Sequence, residues 1–304
     1  MMVEKFRKLY EKHLWLKIVT VTLVVFLSAA AMLPIVKIAE LFDINIRENT
    51  GLNFKVTFGI VFTFFLIGVC STTVIWLAQK YIHKKSLSEL GLNRKIWLPS
   101  LIGFIIGTII FSLRYVFFYF NGASITFTKV NSEDVALITY LGYYLYFFIG
   151  FIFWNSFIEE IGMRAYPIQK LKKYMNPHII FTIMGLIFTV FHFVVRDFNL
   201  GYFLNLFLYS YIFSLVYYYS NSFWLIIGIH SGSNWVAYSF FGNNNWKLGG
   251  FYNTKVTGVS SQWIYDYANV FILFAILLFV VFLNKRRVFR TYFPKTYEIQ
   301  NTLK

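Results

Sequence analysis

Apolar residues in this chain fall in blocks separated by short polar stretches, and several blocks exceed the roughly 18 to 20 residues that a helix needs to cross a bilayer core about 30 Å thick. Composition agrees: 58% of the residues are hydrophobic and only 13% are charged, whereas a soluble domain carries about 25% charged residues. A water-soluble globule is therefore excluded. The period-two alternation over about ten residues that marks an outer-membrane barrel is absent. The fold class predicted is all-α, a polytopic transmembrane helical bundle.

Eight spans are expected: Trp15 to Leu41, Val56 to Gln79, Trp97 to Phe120, Val135 to about Gln169, His178 to Val195, Gly201 to Tyr219, Phe223 to Phe241 and Tyr267 to Leu283. Cytoplasmic loops accumulate Lys and Arg, so charge placement sets the orientation. With the N-terminus inside, the inner segments hold Lys5, Arg7, Lys8, Lys12 and Lys17, then Lys80, Lys84, Lys85, Arg94 and Lys95. They also hold Arg164, Lys170, Lys172 and Lys173, then Lys285, Arg286, Arg287, Arg290, Lys295 and Lys304. The outer segments keep Lys37, Arg47, Lys55, Lys129, Arg196, Lys247 and Lys255, and Arg114 lies within a span. Both termini are expected in the cytoplasm. The net charge of +15 is thus accounted for by topology, and no nucleic-acid-binding motif accompanies it.

Ser28-Ala29-Ala30-Ala31 imitates a signal-peptidase site, but the apolar run continues past it and the first helix is expected to stay uncleaved. Cys70 is the single cysteine, so no intrachain disulfide or cysteine-based metal site is available. No internal repeat is seen, which weighs against a transporter built on inverted repeats. The chain divides into a three-span region, 1–134, a core of spans four to seven, 135–241, and a remainder, 242–304. That remainder holds the longest loop, from Gly242 to Asp266, then the last span and a basic tail.

Ionisable groups inside spans are expensive to bury and point to function. Here the acids and histidines are confined to the second half: Glu159 and Glu160 in the fourth span, His192 in the fifth and His230 in the seventh. On a helix, residues four apart are neighbours and adjacent residues diverge by about 100°. Arg164 then pairs with Glu160, while Glu159 points along another face and is available as a general base. The same segment also reads as a buried salt bridge that only fixes packing, and spacing alone leaves both open. Phe188 and His192 share one helix face, as do His230 and Asn234. The latter lie in a run of small residues, His230-Ser231-Gly232-Ser233-Asn234, that lets a neighbouring backbone come close. Counted from the cytoplasmic ends of their spans, Glu159, His192, His230 and Asn234 lie at depths on the order of 10 to 21 Å, so one cytoplasm-facing cavity can contain all four.

Glu159-Glu160-x-x-x-Arg164, Phe188-x-x-x-His192 and His230-x-x-x-Asn234, in this order on successive apolar spans, resemble the pattern of the CPBP family of intramembrane proteases. This is the group of CAAX-processing and bacteriocin-processing enzymes that includes the Rce1-type CAAX endopeptidases. The stretch Ser86-Leu87-Ser88-Glu89-Leu90-Gly91-Leu92 also resembles a feature of bacterial members. The resemblance is close from Val135 to Phe241 and elsewhere rests on hydropathy.

It implies a membrane endopeptidase of about eight spans with a four-helix catalytic core. By carry-over, Glu159 activates water with help from His192, His230 and Asn234 donate to the oxyanion, and Glu160 with Arg164 is the supporting pair beside Phe188. No cofactor is favoured. The alternative is zinc, which needs three protein ligands plus water, and Glu159, His192 and His230 would be those ligands. The expected partners are the lipid bilayer, a peptide or membrane-protein substrate and no nucleic acid. The resemblance also leaves a non-catalytic role, as a scaffold, immunity or regulatory partner of another membrane protein. The Phe-, Tyr-, Asn- and Lys-rich composition points to a multi-pass protein of a bacterial cell membrane.

Overall fold

The structure, a computed structural model, describes residues 2–44, 58–92, 96–129, 137–193, 197–240, 252–259 and 261–292. The Asn243-Asn244-Asn245 and Gly249-Gly250 portions of the expected outer loop, and the tail with Lys295 and Lys304, lie outside these residues. In chain order the elements begin with α1 (Met2–Lys12), α2 (Leu14–Ala30), α3 (Met32–Leu41), and α4 (Phe58–Leu77), which continues as a π-helical turn, Ala78–His83. A 3-10 turn, Leu87–Leu90, precedes α5 (Trp97–Phe120) and β1 (Ser124–Lys129). Next comes one long helical run made of α6 (Leu137–Tyr146), α7 (Trp154–Glu160) and α8 (Tyr166–Leu171), joined by π-helical turns at Phe147–Phe153 and Ile161–Ala165. The chain then forms α9 (Pro177–Phe193), α10 (Leu200–Ser220), α11 (Phe223–Phe240), β2 (Tyr252–Thr257), α12 (Gln262–Lys285) and α13 (Val288–Tyr292).

Each expected span falls on a helix, and five helical segments are long and apolar enough to cross a membrane: Leu14–Leu41, Phe58–His83, Trp97–Phe120, Leu200–Ser220 and Trp263–Lys285. Pro177–Phe193 is apolar but shorter. The lipid-facing character of these helices shows in side chains such as Phe58, Trp97 and Leu98, which remain exposed on the bundle's outside. Inside, one cluster of buried residues runs from Val21 and Ile75 through Ile110, Ile161, Phe181 and Tyr217 to Ile226 and Leu273. The first three spans thus share their core with the motif-bearing helices.

The outer side departs from expectation. The stretch expected to be a loop up to Asp266 holds β2, and α12 begins at Gln262 instead of Tyr267. The helix starts early because the Ser261 side chain accepts the Ile264 amide, satisfying a backbone donor of the first turn. β2 pairs antiparallel with β1, with Ile125 opposite Val256. Val256 and Val259 then pack with Tyr115 and Ile264 against Phe118, Ala123 and Ala268.

At the opposite end, the Ser86 to Leu92 stretch acts as a clip between α8 and the α10–α11 turn. Leu90 is fully buried, its carbonyl accepts the Tyr217 hydroxyl at 3.0 Å, and Glu89 pairs with Lys170. Gly91, at φ 83°, lies where a Cβ would come within 2.9 Å of the Asn221 carbonyl oxygen.

The closest helix contact is between α5 and α11. Gly103 and Gly107 on one, and Gly228 and Gly232 on the other, face each other's backbones. A Cβ on Gly107 would sit 1.9 Å from the Ile229 carbonyl oxygen, and one on Gly232 would sit 2.1 Å from that of Phe104. Paired glycine notches four residues apart let two helices touch through backbone. Ser233 Oγ then donates across to the Gly107 carbonyl at 3.1 Å. Because backbone cannot yield, Gly107→Leu or Gly232→Leu should cost about 3 kcal/mol or more, read as a lower denaturation midpoint in detergent. Gly142→Leu, where a Cβ meets nothing within 4 Å, should leave the midpoint unchanged.

Candidate active site

The site grows out of the long run Leu137–Leu171, where α7 passes into the π-helical turn Ile161–Ala165. π-helical turns are rare and collect at functional sites. Glu160 and Arg164 remain one turn apart across it, and Arg164 Nη1 donates to Glu160 Oε1 at 3.0 Å with both side chains fully buried. A charge pair so deep demands further partners. The guanidinium carbon lies 4.0 Å above the Phe188 ring centroid and 5.8 Å from that of Phe213. Phe188 comes from α9 and Phe213 from α10, so the cation is held between two helices by ring faces, a favourable contact for a desolvated guanidinium.

α11 supplies His230. Its Nδ1 lies 2.7 Å from Glu160 Oε1 and its Nε2 lies 3.7 Å from Glu159 Oε2. Since Arg164 already pairs with that carboxylate oxygen, the Nδ1 position carries the hydrogen and donates to it. Nε2 is thereby aimed at Glu159. This is the arrangement in which a carboxylate fixes the tautomer and direction of an imidazole whose other nitrogen works. The Phe213 ring, 5.5 Å from that of His230, backs the imidazole. The two glutamates therefore occupy different environments: Glu160 is sealed, while Glu159 is about one-quarter exposed. Asn155, one turn earlier on α7, donates from Nδ2 to Glu159 Oε1 at 2.8 Å. Neighbouring Trp154 anchors that turn to α4 by donating from Nε1 to the Phe64 carbonyl at 3.1 Å, in a notch where Gly68 leaves room for the indole.

Of the residues singled out in the sequence, Glu159, Glu160, Arg164 and His230 are brought into direct contact. His192 joins through Phe188: the two rings are 4.5 Å apart and His192 Nδ1 faces the Phe188 carbonyl oxygen at 2.8 Å. Asn234, half-buried, sits one helical turn beyond His230 on α11. Two contributors escaped the sequence reading. Asn155 was within reach of the same four-residue rule that paired Glu160 with Arg164, applied one turn upstream. Phe213 carried no signal, because α10 is rich in Phe and Tyr along its whole length.

Glu159, His192 and His230 are the residues a zinc ion would use. Among the described residues, no three His, Cys, Asp or Glu side chains are grouped so as to hold a metal ion. His192 turns Nδ1 to its own helix backbone. The donor set does not fit a zinc site, and no step below is routed through one.

If the guanidinium rests on Phe188 as described, Phe188→Ala should leave a buried cation without its ring and lower stability by about 3 kcal/mol. Phe188→Tyr should be tolerated far better. Thermal unfolding of the purified variants in detergent checks this.

No curated protein and no solved structure matches the chain. The family whose model matches residues 140–236 is described as type II CAAX prenyl endopeptidase, Rce1-like. That third of the chain contains every residue of the site just described, from Asn155 to Asn234, and its similarity to the Rce1-like family supports a protease, and so a hydrolase, role in a membrane.

Proposed function

We propose that this chain is an intramembrane endopeptidase that hydrolyses a peptide or membrane-associated protein with water activated at Glu159. The observation that carries the reading is that His230 contacts both glutamates, with Nδ1 on the sealed Glu160 and Nε2 towards the accessible Glu159. In this mechanism Glu159, oriented by Asn155, takes a proton from water as the oxygen attacks the scissile carbonyl carbon. Negative charge gathers on the carbonyl oxygen, where the protonated Nε2 of His230 and the amide of Asn234 donate hydrogen bonds. Each such donor is worth about 3 to 4 kcal/mol where measured in other enzymes. The proton held by Glu159 passes to the leaving nitrogen as the C–N bond breaks, giving an acid and an amine. Glu160 and Arg164 keep His230 in the productive tautomer, and His192 closes the far side of Phe188.

The surrounding topology belongs to the same proposal. Eight spans place both termini in the cytoplasm of a bacterial cell membrane, with a three-span region 1–134, the core 135–241 and the remainder 242–304. The site opens to the cytoplasmic side. Its substrates are peptides or proteins of the bilayer. Cysteine substitutions labelled from outside whole cells report this arrangement: a cysteine at Lys304 should stay unlabelled and one at Lys255 should react. Labelling of both would overturn the orientation.

Chemistry is tested by comparing newly formed protein termini in membranes of cells making the wild type, Glu159→Gln or Asn234→Ala. The wild type should generate termini absent from the Glu159→Gln membranes. Asn234→Ala should slow their appearance by about a hundredfold without loss of folded protein. Identical termini in all three strains would replace the peptidase reading with a non-catalytic partner of another membrane protein.

A further inference from the structure

α1 presents two unlike faces. On one, Tyr10 is only 3% exposed, its ring meets that of His83 edge-on at 5.3 Å, and His83 Nε2 is 2.8 Å from the Tyr166 hydroxyl. Lys17, buried at the start of α2, donates from Nζ to the carbonyl of Glu11 and lies 4.4 Å from the centre of the Tyr174 ring. The helix is thus fastened to the end of α4 and to α8, the end of the bundle that carries Lys84, Lys85, Lys170, Lys172 and Lys173.

The other face is open. Lys5, Lys8 and Lys12 are exposed and, at 100° per residue, form one stripe. That stripe runs between Leu9, which is 52% exposed, and the exposed pair Glu4 and Glu11. His13 is extended, at φ −115° and ψ 120°. It ends α1 and lets the chain change direction before α2, whose first turn exposes Leu14 and Trp15 at 46% and 62%. Trp at the start of a span marks the bilayer interface. A short helix at that level, with a lysine stripe beside an exposed leucine, has the layout of one that lies in the membrane surface.

We propose that the outward face of Met2–Lys12 binds anionic lipid headgroups, with Lys5, Lys8 and Lys12 on the phosphates and Leu9 in the acyl boundary. The charge on the stripe selects this occupant, since basic residues near an anionic surface gain about 1 kcal/mol each. The inference concerns α1 alone and does not depend on what the site around Glu159 does.

The test is amide hydrogen exchange of the full chain in nanodiscs of phosphatidylcholine alone and in nanodiscs that also contain phosphatidylglycerol. Exchange within Met2–Lys12 should slow in the anionic discs, by about fivefold for each lysine engaged. The combined substitution Lys5→Gln, Lys8→Gln and Lys12→Gln should abolish the difference, with exchange elsewhere unchanged. Lys84→Gln with Lys85→Gln, off the helix, should retain it. Equal exchange in the two kinds of disc overturns the proposal, and so does an equal loss of the lipid effect in the Lys84/Lys85 variant, which would make the attraction a diffuse property of the basic end.

Discussion

An ion pair with no access to water, Glu160 with Arg164, sets the terms for the helices around it. Neither charge is stable alone in a hydrocarbon-like interior, and removing one partner of such a pair costs more than the pair contributes. Their neighbours are therefore constrained in kind as well as in place. Phe188 offers a ring face to the guanidinium, Phe213 a second, and His230 a hydrogen-bond donor to the carboxylate. Four helices, α7, α9, α10 and α11, are committed to one point by these contacts. A residue that departs leaves an uncompensated charge behind.

The contact between α5 and α11 serves that commitment from outside. His230 lies between Gly228 and Gly232, the two notches through which α11 lies against the backbone of α5. Side chains at those positions would move α11 bodily, and His230 with it, away from the glutamates. α5 holds no member of the site, yet its glycines govern where the imidazole stands. The Ser233 hydroxyl on the Gly107 carbonyl adds a polar tie that lipid cannot compete for.

Much of this was legible in the sequence because the strongest signals are one-dimensional. Hydropathy located the helices, and the four-residue rule paired Glu160 with Arg164 and stacked Phe188 on His192. The small-residue run around His230 announced a close backbone neighbour, though not which helix would supply it. What stayed hidden depends on partners distant in the chain or on local breaks in periodicity. β1 and β2 are strands only because they meet across the intervening helices. α1 is a short polar helix ended by an extended His13, too charged to register as a span. Phe213 is one aromatic ring among many until the fold sets it beside Arg164. The π-helical turns leave no mark in composition, since they are a property of register.

Those turns make the length of the long run Leu137–Leu171 a structural parameter in its own right. A π-helical turn accommodates one residue more than the α-helical turn it replaces. Deleting a single residue from Ile161–Ala165 would let the helix relax to uniform α geometry while rotating everything beyond it by about 100°. Tyr166 would swing away from His83 and Lys170 from Glu89, and the cytoplasmic end of the helix would lose its seat although every side chain in it was unchanged. Homologous chains that keep these pairings are bound to keep the spacing from Glu160 to Tyr166 as strictly as the identities of the residues themselves.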